Sequence, residues 1–143
     1  MTNTEANELS AQLWRQRELV ELLLFKYEEE RLLRAAGLER WTTHADRETQ
    51  IVIERLAACS LSTAVAISGV ATAWGLRADA LLRDLAEAAP SGMWREILTD
   101  HLDALVGLIS EIRDLRSDPS GIYRPDGSLD HTAQTARLID AVL

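Results

Sequence analysis

The side chains that could do chemistry are few in this sequence, and none belongs to a recognised catalytic pattern. His44 and Glu48 stand four residues apart, so on a helix they would share one face, either as metal ligands or as a surface contact. His101 follows Asp100 and precedes Asp103, but neither Glu-x-x-His nor His-Glu-x-x-His occurs anywhere. We therefore interpret the His44 pair as a surface contact and expect no metal ion.

Two further reactive groups favour structural roles. Lys26 is the only lysine, and it lies between Phe25 and Tyr27, where a side chain reaching to solvent along apolar neighbours is favoured over one with a lowered pKa. Cys59 is the only cysteine and has no basic neighbour in the sequence, so we expect a small buried hydrophobe. No glycine-rich phosphate loop and no nucleophile elbow accompany them. The sequence predicts no catalytic residue, no cofactor and no enzyme.

The net charge of the chain restricts the kinds of partner that it can bind. The chain has 23 acidic and 15 basic residues and a net charge of −8, which disfavours binding to nucleic acid or to anionic lipid. Residues 56–76 carry no charge and are long enough to span a bilayer. Their hydroxyl, glycine and alanine residues instead favour a buried helix packed through small side chains, with a close contact or a kink at Gly69. The first residues lack a secretory signal, so we expect a cytoplasmic protein without membrane insertion.

Leucine spacing indicates an all-α protein. Apolar residues recur at helical steps in four segments, and Gly37 is placed to end the first of them. We predict a helical bundle, with coiled-coil character, built on a long antiparallel hairpin with shorter helices packed along it. Residues 1–116 hold the bundle, and 117–143 hold a loop and a C-terminal helix. The predicted helices cover about 3–36, 39–74, 78–89 and 93–116.

The opening helix resembles the flagellar export chaperones of the FlgN type. Residues 13–30 read LWRQRELVELLLFKYEEE, followed by LLRAAG at 32–37 and Arg-Trp at 40–41. A later stretch, with AAP at 88–90, WREIL at 94–98 and His101, looks like the actinobacterial branch. The resemblance covers roughly residues 9–112. In that family the fourth helix usually continues into a longer C-terminal helix, whereas here Pro119 and Gly121 interrupt the chain.

The resemblance implies a cytoplasmic chaperone that binds the C-terminal helical segment of hook-associated proteins before type III export. Two apolar sets are candidates for client binding, because they exceed what a hairpin buries: Leu138, Ile139, Val142 and Leu143 near the C-terminus, and Leu105, Ile109 and Ile112 in the fourth helix. Either set could instead pack against the first two helices. The alternative function is a homodimeric, non-catalytic adaptor or regulatory scaffold, because long helices with broad apolar faces often self-associate.

Overall fold

The structure, a computed structural model, describes residues 4–116 of the chain. They form four helices: α1 (Thr4–Ala35), α2 (Glu39–Ala73), α3 (Leu82–Ala88) and α4 (Gly92–Arg116). The most extensive packing joins α1 to α2, and this part of the chain contains no strand. The predicted all-α bundle built on a long hairpin is confirmed. The loop and C-terminal helix predicted for 117–143 lie outside the described residues.

The hairpin packs by coiled-coil spacing. Side chains buried on α1 recur at alternating steps of three and four residues: Ala6, Leu9, Leu13, Gln16, Val20, Leu23, Tyr27 and Glu30. The same alternation continues on α2 through Ala45, Thr49, Val52, Leu56, Cys59 and Thr63. A second buried row on α2, seven residues apart, consists of Ile53, Ser60 and Ile67. Because each buried leucine stabilises the fold by roughly 1.5–3 kcal/mol, these rows fix the antiparallel register of the two helices.

Glycines end both long helices. Gly37 and Gly75 have φ of 73° and 76°, a conformation that costs other residues more than glycine. Past Gly37, the backbone N–H of Leu38 donates to the carbonyl of Leu33 at 2.9 Å, and the corresponding bond past Gly75 is 2.7 Å. These bonds satisfy carbonyls at the helix ends that would otherwise lack partners. The prediction that Gly37 terminates the first helix is therefore confirmed.

The third helix begins four residues later than predicted, at Leu82 instead of residue 78. The carboxylate of Asp84 accepts a hydrogen bond from the backbone N–H of Leu81 at 2.8 Å. That bond satisfies a free donor at the helix start and so sets where the helix begins.

The fourth helix runs parallel to α1. Ser10 lies beside His101 near the start of α4, and Leu24 and Arg31 lie beside Leu115 near its end. Within the described residues α1 packs against both α2 and α4, while α3 connects the C-terminal end of α2 to α4 and packs against both. One side of α1 is thus covered by α4.

The first half of α2 leaves two large apolar side chains exposed. Ala45, Val52 and Leu56 are buried, whereas Trp41 and Ile51 are each 49% exposed. Trp41 lies four residues before Ala45 and fits a simple helical stripe. The buried row alternates steps of three and four, however, and its preceding member is Thr42, which is partly buried.

Candidate functional site

The three predicted client-binding residues of α4 lie in the core. Leu105, Ile109 and Ile112 are 0%, 2% and 1% exposed and belong to the same cluster as the buried leucines of α1. In this structure they hold the bundle together and present no surface to a client. The other four predicted residues, Leu138, Ile139, Val142 and Leu143, lie outside the described residues.

His101 is the centre of a polar cluster between α1 and α4. The imidazole is 1% exposed. Its Nε2 lies 3.1 Å from Ser10 Oγ, and its Nδ1 lies 3.2 Å from a guanidinium nitrogen of Arg17. Arg17 also pairs with Asp100 at 3.2 Å and stacks over Trp14 at 4.0 Å from the ring centroid. Sequence spacing alone did not predict that Ser10, Trp14 and Arg17 would lie beside this histidine.

The cluster cannot activate Ser10 as a nucleophile. A guanidinium donates hydrogen bonds and accepts none, so the Nδ1 of His101 must be the acceptor and the proton of the neutral ring lies on Nε2. Nε2 therefore donates to Ser10 Oγ and is unable to take its proton. Burial, reinforced by the charge of Arg17 and opposed by that of Asp100, lowers the pKa of His101. The arrangement fixes α4 against α1 and has the wrong polarity for base catalysis.

Lys26 lies in an ion-pair cluster. Its ammonium group is 3.0 Å from Glu48 across the hairpin and 3.6 Å from Glu29 on its own helix. Burial alone would lower the pKa of Lys26, but the hydrogen bond to Glu48 and the charges of both carboxylates outweigh it, and the pKa is raised. A raised pKa keeps the amine protonated and unreactive, so Lys26 joins α1 to α2.

Cys59 and His44 offer no reactive site. Cys59 is buried, and burial raises the pKa of its thiol despite the opposing effects of Thr63 and Arg15. His44 is exposed on α2, and Glu48, the residue with which it could share a metal ion, is bound to Lys26. Among residues 4–116 no three histidine, cysteine, aspartate or glutamate side chains converge as metal ligands.

An open groove runs along the side of the hairpin away from α4, and we call it the α1–α2 groove. Its α1 wall consists of Glu5, Glu8, Gln12, Arg15 and Leu19. Its α2 wall consists of Arg55, Ala58, Leu61, Ser62, Val65 and Gly69. Two adjoining depressions make up the groove, and Gln12 and Ser62 line both of them.

Beyond Arg55 the α2 wall is uncharged and unusually exposed. Leu61 and Val65, one helical turn apart, are 72% and 74% exposed, the two highest values among the exposed large hydrophobic residues of the described chain. Gly69 is also open, because a Cβ built there would meet no atom within 4 Å. Of the two alternatives predicted at Gly69, a close contact or a kink, the close contact is absent from the described part of the chain. A second helix could approach this wall closely.

Charge is distributed unevenly along the groove. Glu5 and Glu8 lie at the end marked by Val65 and Gly69, and Arg15 and Arg55 lie at the other. Between the two ends the α2 wall carries no charge. The groove thus offers an apolar centre with an acidic and a basic end.

Leu61 and Val65 lie in the uncharged stretch 56–76, for which the sequence predicts a buried helix packed through small side chains. Only the rows facing α1 and the core are buried, so these two surface residues were not predicted. The available signal was a second row on α2 at steps of three and four, namely Arg55, Ala58, Ser62, Val65, Gly69 and Thr72. A row of mostly small residues beside the buried row of a helix indicates a second packing face.

By length and composition alone, α2 is also apolar enough to cross a membrane. The core helix of a soluble protein meets the same criterion, and α2 buries one side of its length against α1.

No protein-family model, no curated protein and no solved structure matches the chain.

Proposed function

We propose that this protein is a cytoplasmic export chaperone of the flagellar type, and that it holds an amphipathic helix from the C-terminal segment of a hook-associated protein. The client helix would lie in the α1–α2 groove with its apolar side against α2. The proposal combines the resemblance of residues 13–41 to that chaperone family with the exposed groove. It moves the client-binding surface away from Leu105, Ile109 and Ile112, which are buried.

The observation that carries the proposal is the exposure of Leu61 and Val65 on an uncharged helix face. A monomer gains nothing from leaving these side chains in water, and an exposed apolar face bordered by charge is typical of protein-binding surfaces. Helix-in-groove recognition uses such a face, with apolar client residues at helical steps seated between two helices. The polarity of the His101 cluster and the raised pKa of Lys26 favour binding over catalysis.

Binding to synthetic C-terminal segments of hook-associated proteins, measured by calorimetry, tests the proposal. Val65→Glu would place a charge in the centre of the groove, and we expect it to weaken binding at least tenfold, or about 1.4 kcal/mol. Val106→Glu is the matched control, because Val106 is 51% exposed on α4 and lies outside the groove. We expect the control to bind as the unchanged protein does.

Two results would refute the proposal. The first is that no hook-associated segment binds the unchanged protein at concentrations where the chaperone is folded. The second is that the segments bind both variants equally, which would place the client on another surface.

The second candidate function is a homodimeric, non-catalytic adaptor or scaffold, in which another copy of the chain fills the groove permanently. The order of charges along the groove favours self-association. The two functions differ in whether a client displaces the second copy.

A further inference from the structure

We propose that the client-free protein is a homodimer in which the α1–α2 grooves of two copies close on each other about a two-fold axis near Ser62 and Val65. The inference rests on the proposed function to this extent: client and second copy would occupy the same groove, so the dimer would cover it until a client arrives. The face itself and its charges come from the structure.

The order of charges along the groove favours this pairing. A two-fold axis across the middle of the groove places each end of one copy against the opposite end of the other. Glu5 and Glu8 of one copy would then meet Arg15 and Arg55 of the second. All four charges find opposite partners, and the uncharged centres meet each other. Like charges would meet if the two copies packed in the same direction, which disfavours that arrangement.

The register of small side chains on α2 fits the same two-fold axis. An axis between Ser62 and Val65 would set Ser62 opposite Val65 of the second copy, and Ala58 opposite Gly69 of the second copy. All four are exposed in the described chain. The open Cβ position at Gly69 leaves room for the partner helix to approach. Leu61, next to the axis, would be covered by both copies.

The area of the groove face indicates a weak dimer. From Arg55 to Thr72 the face is about 26 Å long at 1.5 Å per residue, and two helices side by side are about 20 Å wide. The area is therefore roughly 500 Å² per copy, below the roughly 800 Å² per partner of a standard stable interface. An interface of this size forms a dimer that dissociates on dilution. A client helix would then be able to displace the second copy.

A charge exchange tests the arrangement by sedimentation equilibrium over a dilution series of the full chain. Arg55→Glu and Glu8→Arg should each weaken the dimer about tenfold, because each places like charges together. The double variant R55E/E8R should recover most of the loss, because the pair is restored with its signs reversed. The α2 residues beside Glu8 begin at Leu61 and reach Gly69. Val65, in the middle of that stretch, is ten residues from Arg55, or about 15 Å, so recovery cannot arise within one chain.

Val65→Glu should abolish the dimer, and Val106→Glu should leave it intact. Circular dichroism checks that each variant is folded, which is expected because all four positions are exposed.

A protein that stays monomeric at the highest concentration overturns the inference. So does a dimer that is unaffected by Val65→Glu, or a double variant no better than the single ones. Client binding by a monomer would leave the proposed function standing, whereas a dimer of this kind that binds no client would refute only that function.

Discussion

Replacing Gln16 with leucine should stabilise the bundle. Gln16 is 0% exposed and occupies a position in the buried row of α1 between Leu13 and Val20. Neither its side-chain oxygen nor its side-chain nitrogen has a hydrogen-bond partner among the described residues. An amide in this position has lost its hydrogen bonds to water without gaining others, which costs free energy.

The magnitude follows from that loss. A buried polar group without a partner costs about 1–3 kcal/mol. Leucine is close to glutamine in size, so it would remove the cost and add apolar burial without leaving a large cavity. Steric adjustment in a packed core offsets part of this gain. We therefore expect the free energy of unfolding to rise by about 1–2 kcal/mol.

Urea denaturation followed by circular dichroism at a fixed protein concentration measures this change. The midpoint should move to higher urea while the slope stays constant, because the surface exposed on unfolding is nearly the same. Gln50→Leu is the matched control. Gln50 is only partly buried on α2, and its side-chain atoms are not among the buried ones without partners, so its replacement should change stability by less than about 0.5 kcal/mol.

A decrease in stability on replacing Gln16 would refute the reasoning, because it would mean that the amide makes hydrogen bonds that stabilise the fold. A change in subunit number would have a different meaning. Polar residues in the buried row of a coiled coil can select the pairing of helices at a cost in stability. The sedimentation experiment detects that outcome separately.

Two other predictions test the core and the polar cluster. Leu56→Ala, at a fully buried position, should lower the free energy of unfolding by about 2–5 kcal/mol. Leu61→Ala, in the groove, should change it by less than about 0.5 kcal/mol and should weaken the dimer. Urea titration measures the free energy of unfolding, and sedimentation measures the dimer. Because the pKa of His101 in the folded protein lies below its ordinary value of 6.5, stability should be fully present above that pH and fall as the pH drops below it. His101→Gln should flatten this dependence between pH 7 and pH 5; a slope unchanged from that of the original protein would contradict the role given to His101.

The helices could be predicted from the sequence because their signals are local. Apolar spacing and the two terminal glycines lie within a few residues of the structure that they determine. The late start of α3 was missed because Asp84 caps the helix through a backbone N–H, and a leucine precedes that helix where serine or aspartate is usual. Each of these features depends on neighbours in the chain.

The surface could not be predicted in the same way, because it depends on which helix covers which. Leu105 and Leu61 are both leucines in apolar helical segments, yet one is fully buried and the other is 72% exposed. The difference arises because α4 lies on one side of α1 and leaves the other side open. Similarly, the tautomer and the structural role of His101 depend on Ser10 and Arg17, which are more than 80 residues away in the sequence.

The exposed pair in the groove also determines how firmly anything can bind there. Covering Leu61 and Val65 completely yields about 1.5–3 kcal/mol for each side chain, or roughly 6–12 kcal/mol over two copies. Association itself costs about 4–15 kcal/mol in lost freedom of motion. The two ranges overlap, so binding at this face is close to balance and is decided by the charges at the groove ends. A partner that matches those charges would be held, and it would be released when a better match arrives, which is the behaviour required of a protein that carries a client and then delivers it.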